Sequence, residues 1–181
     1  MNHKILYVIR HCKATGQERE AALTDDGRQQ ALELSEFLSE YPIKRIISSP
    51  YKRTVESITP YADKMGIEIE KDERLGERLL SPENQPNWLD VLEQSFQDLT
   101  LSLEGGESSQ DAMNRVKSLL LELENTPEEH IALVSHGNLT TLLLKLVDEV
   151  YGFDEWKAMS NPDVYMIQLK QDNNHVKRIW G

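Results

Sequence analysis

Short, continuous apolar runs separated by amphipathic helical segments constrain the fold of this chain most strongly. Residues 5–9 (Ile-Leu-Tyr-Val-Ile) and the run Ile131–Ser135 are almost wholly apolar, which is typical of strands buried on both faces of a sheet. Further strands are predicted at residues 45–48, 67–70, 164–169 and 175–180. Because helical patterns separate most of these strands, we predict an α/β fold: a three-layer α/β/α sandwich with a mainly parallel central sheet.

The predicted helices carry recognisable start and stop signals. Thr24 is a candidate N-cap for a helix that closes before Pro42, and Ser49-Pro50 is typical of the start of a second helix. The second helix should run toward Gly66, with a kink or interruption at Pro60. Three more helices are predicted at residues 88–99, from Ser108 through residue 123, and from residue 137 to about 150.

Length and composition limit the organisation of the chain and its partners. The 181 residues contain no repeat or flexible linker, so we predict a single domain, residues 1–181. The net charge of −11 repels DNA and anionic lipid, which argues against nucleic-acid and membrane partners. Cys12 is the lone cysteine, and no apolar run has signal-peptide or membrane-spanning length, so a cytoplasmic location is predicted. The oligomeric state stays open.

Polar residues cluster where three of the predicted strands end. Arg10-His11 ends the first strand, Arg53 follows the second strand shortly after Ser48-Ser49, and His136-Gly137 ends the strand that begins at Ile131. The carboxyl ends of parallel strands lie at one edge of a sheet, where ligands collect. We therefore expect two histidines and two arginines to share a crevice, which would provide a positive pocket in an acidic protein.

This set of side chains suits phosphate chemistry. Guanidinium groups bind phosphoryl oxygens bidentately, and the helix starts after Ser49 and Gly137 offer further N–H donors. A neutral imidazole can attack phosphorus, and two nearby arginines should lower the pKa of that histidine. Each residue alone has a simpler explanation, since strand-end histidines are often structural and Arg53 alone is typical of a solvated surface charge. Their shared placement favours a site.

Six segments, in order, resemble motifs of the histidine phosphatase superfamily, also called the phosphoglycerate mutase-like family. They span about residues 6 to 144 and correspond to that family's Arg-His-Gly strand, Leu-Thr-x-x-Gly-x-x-Gln-Ala helix start, Ser-Ser-Pro-x-x-Arg-Ala segment, Leu-x-Glu acid segment, Gly-Glu-Ser helix start and second histidine motif. The matching segments are Leu6–His11, Leu23–Ala31, Ser48–Thr54, Leu75–Glu77, Gly105–Ser108 and Val134–Gly137.

The resemblance implies a role for each matching residue. His11 would become phosphorylated, while Arg10, Arg53 and His136 would hold the phosphoryl oxygens. Glu77 would protonate the leaving oxygen and then help to activate water. Further contacts to the substrate or its phosphate would come from Gln17, Gly137 and Asn138. The implied enzyme needs no cofactor and no metal ion, and its partner is a small phosphorylated substrate.

The sequence departs from the family pattern in four places, one of which is Ala14 in place of the usual threonine. Cys12 replaces the glycine of Arg-His-Gly and is either a small buried residue or a thiol whose oxidation blocks the site. Gln17 stands where asparagine is common and keeps an amide donor on a longer arm. Residues 79–88 replace the family's Gly-x-Trp-Glu-Gly stretch. They contain few cationic residues, which disfavours a highly anionic second substrate group.

The leading hypothesis is therefore a phosphomonoester hydrolase. Phosphoglycerate mutase is the alternative, because His136-Gly137-Asn138 resembles the mutase form of the second histidine motif. A catalytically silent protein that binds phosphorylated ligands would lack the nucleophile, an arginine or the acid, all of which are present here. A zinc enzyme is conceivable from two histidines and a glutamate, but the sequence has no close ligand spacing such as His-x-x-x-His.

Overall fold

The computed structural model describes residues 3–181 and has one six-stranded sheet with helices on both faces. The strands are β1 (Lys4–Arg10), β2 (Arg45–Ser48), β3 (Ile69–Lys71), β4 (His130–Ser135), β5 (Asp163–Leu169) and β6 (His175–Arg178). The helices are α1 (Asp25–Leu38), α2 (Lys52–Met65), α3 (Trp88–Gln97), α4 (Ser109–Leu123), α5 (Gly137–Val147) and α6 (Phe153–Ala158). A short 3-10 helix covers Glu73–Leu75.

The sheet order brings the predicted polar strand ends together. The strands lie in the order β3-β2-β4-β1-β5-β6; β3, β2, β4 and β1 are parallel, β5 is antiparallel to β1, and β6 is antiparallel to β5. In the ladder Arg10 pairs with Ser135, and Ser48 pairs with Val134. The first, second and fourth strands therefore end at the same edge, and the predicted mainly parallel sheet is confirmed.

Side-chain alternation along β1 divides the core into two layers. Leu6 and Val8 belong to the cluster that includes apolar residues of α4 and α5, whereas Tyr7 and Ile9 belong to the cluster beneath α1 and α2. Successive strand residues face opposite sides, so a strand that is apolar at every position can serve both layers. The three-layer α/β/α sandwich predicted from the sequence is confirmed.

Helix starts follow their local chemistry, with one shift. Thr24 caps α1 as predicted, because its side chain accepts a hydrogen bond from the Gly27 N–H. Helix α2 starts at Lys52, two residues beyond the predicted Ser49-Pro50 signature, with Tyr51 in the extended N-cap position. The Ser49 hydroxyl has buried partners of its own in the site and does not cap the helix. Helix α2 was predicted to be kinked or interrupted at Pro60, but it continues through this residue to Met65 without an interruption.

Some predicted boundaries were wrong. Strand β3 begins at Ile69 instead of residue 67, because the Ile67 N–H still bonds to the Ala62 carbonyl at the end of α2. Helix α5 ends at Val147 instead of about residue 150, because the next residue, Asp148, adopts an extended backbone. Helix α6 was not predicted at all; it is only six residues long, and its first turn is closed by Glu155 binding the Gly152 N–H.

No helix within residues 3–181 has both the length and the apolar character needed to cross a membrane. The cytoplasmic location and the absence of nucleic-acid partners stay predictions from the sequence.

Candidate active site

The predicted site residues lie side by side at the carboxyl edge of the sheet. Arg10 ends β1, and the backbone N–H of His11 continues the ladder by donating to the Ser135 carbonyl at 3.1 Å. His136 is the N-cap residue of α5, and its ring centroid lies 5.3 Å from that of His11. Arg53 extends from the first turn of α2 and is fully buried, so the interpretation of a solvated surface charge does not hold.

Hydrogen bonds define the protonation of the His11 ring. Its Nδ1 lies 2.6 Å from the Cys12 carbonyl, which can only accept, so Nδ1 carries the hydrogen. The other nitrogen, Nε2, then carries no hydrogen and has a lone pair that can accept a hydrogen bond. The Nε–H of Arg53 points to this nitrogen at 3.3 Å. The ring thus presents an unprotonated nitrogen beside a guanidinium group.

The surroundings of His11 favour its neutral form. The side chain is almost fully buried, and loss of hydration is the main reason that its pKa falls to about 4. The bond to the Cys12 carbonyl opposes this change, while the charges of Arg53 and Arg10 add to it. The neutral form of the ring, with one unprotonated nitrogen, therefore predominates at neutral pH.

We expect this depressed pKa to be visible by NMR. In a titration from about pH 8 down to about pH 3.5, the ring signals of His11 should stay in the neutral position until the pH approaches 4. The His11→Asn variant assigns the signals by their loss. A midpoint at the ordinary value of about 6.5 would contradict the electrostatic picture of the site.

One ring nitrogen of His136 contacts a neighbouring side chain, and the other has no partner among the described residues. Its Nε2 lies 2.8 Å from the Ser49 hydroxyl, which also accepts a bond from the Tyr51 N–H at 3.3 Å. If the hydroxyl donates its hydrogen to Nε2, then Nδ1 of His136 carries the ring hydrogen. This Nδ1 is buried without a partner among the described residues. The contacts thus favour a ring N–H that is available to an oxygen atom in the site.

A backbone carbonyl holds the guanidinium group of Arg10, and a neighbouring glycine leaves space for it. Its Nη1 donates to the Met159 carbonyl at 3.0 Å, while its Nε is buried without a partner among the described residues. A Cβ atom on Gly137 would lie 3.0 Å from the Nε and Cζ atoms of Arg10. Gly137 therefore contributes space for Arg10, and the phosphate contact that the resemblance implied for it stays a prediction.

Glu77 lies at the N-terminus of α5. Its carboxylate accepts from the Leu139 N–H at 3.0 Å, from the Asn138 N–H at 3.4 Å and from the Arg78 N–H at 2.9 Å. An anion is stabilised at this end of a helix. The N–H groups at the start of α5 were expected to face phosphate, but those of Asn138 and Leu139 bind the carboxylate of Glu77 instead.

Arg115 of α4 fixes the segment that carries Glu77. Its guanidinium group donates to the carbonyl oxygens of Arg74, Gly76 and Glu77 at 2.6, 3.0 and 3.4 Å. The same group forms an ion pair with Glu107 at 2.7 Å. Arg115 is therefore a positioning residue for the acid, and it was not singled out from the sequence.

A cavity of about 550 Å³ opens beside these residues. Arg10 and Glu77 lie in its wall, and so do Gln17 and Asn138, whose contacts were implied by the resemblance. The other side is formed by Arg78 and Asn84 and by the apolar residues Leu80, Trp88, Leu92 and Trp156. The structure thus brings all the predicted site residues to one region. Arg78 and Trp156 were missed, because an arginine among charged residues and a tryptophan in an unrecognised helix carry no signal in the sequence.

Residues 6–180 match the sequence profile of the Histidine phosphatase superfamily (branch 1). The chain belongs to the histidine phosphatase superfamily. This match confirms the family and the enzyme class predicted from the sequence.

Individual relatives agree with the family assignment. "Putative phosphoserine phosphatase 2" of Hydrogenobacter thermophilus is 23% identical over 188 residues, which cover 94% of this chain and 92% of the relative. "Probable phosphoglycerate mutase GpmB" of Salmonella choleraesuis is 28% identical over 169 residues, covering 83% of this chain and 76% of the relative. A mycobacterial glucosyl-3-phosphoglycerate phosphatase in complex with VO3 has the same fold, with a TM-score of 0.80, 22% identity and coverage of 97% and 98% of the two chains.

Cys12, the residue directly after His11, has a buried thiol. Cys12 is fully buried, its N–H donates to the Ser57 hydroxyl at 2.8 Å, and burial raises the pKa of its thiol to about 12. Oxidation by peroxide proceeds through the thiolate. The hypothesis of a redox-sensitive thiol is therefore not supported, and the buried-residue interpretation fits.

Peroxide treatment is accordingly expected to leave the activity unchanged within about twofold, because the thiol is neither ionised nor accessible. The test compares phosphate release before and after exposure of the wild type and of Cys12→Ala. Inactivation of the wild type alone, reversed by a thiol reductant, would restore the redox hypothesis.

The zinc alternative has no ligand set in the described part of the chain. Among residues 3–181, no three His, Cys, Asp or Glu side chains are grouped so that they could hold a metal ion.

Proposed function

We propose that this chain is a phosphomonoester hydrolase that works through a phosphohistidine on His11. The observation that carries this proposal is the state of the His11 ring. Its Nε2 is unprotonated and lies beside Arg53, within a site where Arg10 and Arg53 have no carboxylate partner among the described residues. A nucleophile next to arginines that form no ion pair suits a phosphoryl group.

In the first step, Nε2 of His11 attacks phosphorus and the bond from phosphorus to the leaving oxygen breaks. Arg10, Arg53 and the Nδ1–H of His136 bind the oxygens of the phosphoryl group and stabilise its charge in the transition state. Glu77, in its protonated form, gives a proton to the leaving oxygen, so that the alcohol departs neutral.

In the second step, the carboxylate of Glu77 takes a proton from water as the water oxygen attacks phosphorus. The phosphorus–nitrogen bond breaks, inorganic phosphate leaves, and His11 returns to its neutral form with the hydrogen on Nδ1. Glu77 is protonated again and ready for the next substrate. The bond from Nδ1 to the Cys12 carbonyl supports this cycle, because it keeps the ring hydrogen on Nδ1 throughout and leaves Nε2 to bond phosphorus.

The substrate that we propose is a small phosphorylated molecule. The cavity of about 550 Å³ lies within the range of small-molecule sites. Gln17 and Asn138 lie in the wall of this cavity, which supports the proposal that they contact the phosphate or the leaving group. We also propose that residues 1–181 form a single domain, which the family match over residues 6–180 supports.

Phosphoglycerate mutase is the second candidate, because one of the relatives carries that name. Incubation with 3-phosphoglycerate separates the two reactions: a hydrolase releases inorganic phosphate, whereas a mutase forms 2-phosphoglycerate without phosphate loss. We expect phosphate release, and the same preparation should hydrolyse simple phosphomonoesters. Isomerisation without phosphate release would favour the mutase. A catalytically silent binding protein would bind phosphorylated ligands but convert none of them.

A further inference from the structure

A third arginine, like the two assigned to phosphate, forms no ion pair with a carboxylate among the described residues. Six of the nine arginines form ion pairs with carboxylates among the described residues: Arg19, Arg28, Arg45, Arg74, Arg115 and Arg178. The remaining three are Arg10, Arg53 and Arg78. Arg53 and Arg78 are buried and Arg10 is partly buried, and this loss of water lowers the pKa of the guanidinium group in all three.

Arg78 forms no ion pair among the described residues, although the charges of Glu107 and Glu77 lie near enough to raise its pKa against the effect of burial. The side chain is 4% exposed, its Nε donates to the Glu107 carbonyl at 3.1 Å, and its Nη1 donates to the Ser95 hydroxyl at 2.8 Å. Both acceptors are neutral, and Nη2 is buried without a partner among the described residues. A buried charge that forms no ion pair is costly, and an anion bound from solution would lower that cost.

Arg78 lies in the wall of the same cavity as Arg10 and Glu77. Asn138 lies there too, and its Oδ1 is likewise buried without a partner among the described residues. Trp88 and Trp156, whose rings meet edge to face with centroids 6.3 Å apart, form an apolar wall. The part of the cavity beyond the acid therefore offers a cation, an amide and an aromatic surface to whatever is attached to the phosphoryl group.

We propose that Arg78 binds a carboxylate on the leaving group, so that the preferred substrates are phosphomonoesters of small hydroxy acids. A single guanidinium group matches a single negative charge, whereas a second phosphate would bring two charges next to Glu77. The absence of further cations in residues 79–88 agrees with this limit. This inference rests on the proposed hydrolase function and specifies the substrate class for that site.

The test uses pairs of substrates that differ in the carboxylate. Phosphoserine is compared with phosphoethanolamine, and 3-phosphoglycerate with glycerol 3-phosphate, as ratios of kcat/KM. A buried charge-assisted contact predicts a ratio of about 10 to 100 in favour of the carboxylate in the wild type. In Arg78→Gln the ratio should fall to near one. Arg28→Gln makes the same change at an exposed arginine of α1 and should keep the wild-type ratio.

A wild-type ratio near one would overturn the proposal, even if Arg78→Gln failed to fold. So would an Arg78→Gln protein that lost activity equally on both members of each pair, because Arg78 would then bind the phosphoryl group or act only in folding. Arg78→Lys, which keeps the charge on a different head group, should show an intermediate ratio.

Failure of the proposed function has a separate signature. If the protein released no phosphate from any of the four substrates, the hydrolase function itself would fail. If phosphate release depended on His11 but ignored the carboxylate, the hydrolase function would stand and only the role of Arg78 would be wrong.

Discussion

Replacing His11 with alanine is expected to lower phosphomonoester hydrolysis by at least about 10³-fold and to abolish the phosphorylated protein intermediate. Without the ring, no other imidazole lone pair is held beside Arg53, because His136 uses Nε2 for the Ser49 hydroxyl. The measurement is phosphate release together with a rapid alkaline quench, which preserves a phosphorus–nitrogen bond, and mass analysis of the intact protein.

Two variants give this experiment its controls. His11→Asn keeps a side chain that can donate to the Cys12 carbonyl but offers no nucleophile, so it should be as inactive as His11→Ala. His175→Ala removes an exposed histidine of β6 and should retain full activity and labelling. Wild-type turnover in His11→Ala, or a phosphoryl group on a residue other than His11, would contradict the mechanism.

The parts of this site that follow from strand geometry could be predicted from the sequence. Arg10 is the last residue of β1, and His136 directly follows β4. Both strands are apolar through their middle positions, which is typical of strands inside a parallel sheet. Once the strands are parallel, their carboxyl ends must meet, which places Arg10, His11 and His136 together. Arg53 follows from the same reasoning, because the helix that carries it starts just after β2.

The leaving-group side could not be predicted in this way. The cavity wall on this side contains Arg78, Trp88 and Trp156. The irregular chain between residues 76 and 87 carries Arg78 and leads to Trp88, while Trp156 lies in α6, whose six residues show no clear helical period. The role of Glu77 rested on resemblance, since one glutamate among many charged residues carries no signal. The structure supplies a physical reason for its position, because its carboxylate closes the N-terminus of α5.

Glu77 also provides the second large expected effect. Glu77→Gln should lower kcat/KM by about 10²- to 10⁴-fold for alkyl phosphates, whose leaving oxygen needs a proton. For p-nitrophenyl phosphate the same constant should change little, because nitrophenolate leaves without protonation. The amide oxygen of glutamine can still accept from the Leu139 N–H, so the start of α5 should be preserved.

The two kinetic constants separate the acid role from the base role. Since kcat/KM reports only steps up to phosphorylation of His11, it tests proton donation to the leaving oxygen. With p-nitrophenyl phosphate, kcat should fall in Glu77→Gln, because water attack has lost its base, and a burst of nitrophenol should precede slow turnover. Glu40→Gln, at an exposed acid just beyond α1, serves as the matched control and should resemble the wild type. An equal loss of kcat/KM on alkyl and aryl substrates would instead assign Glu77 a purely structural role at the start of α5.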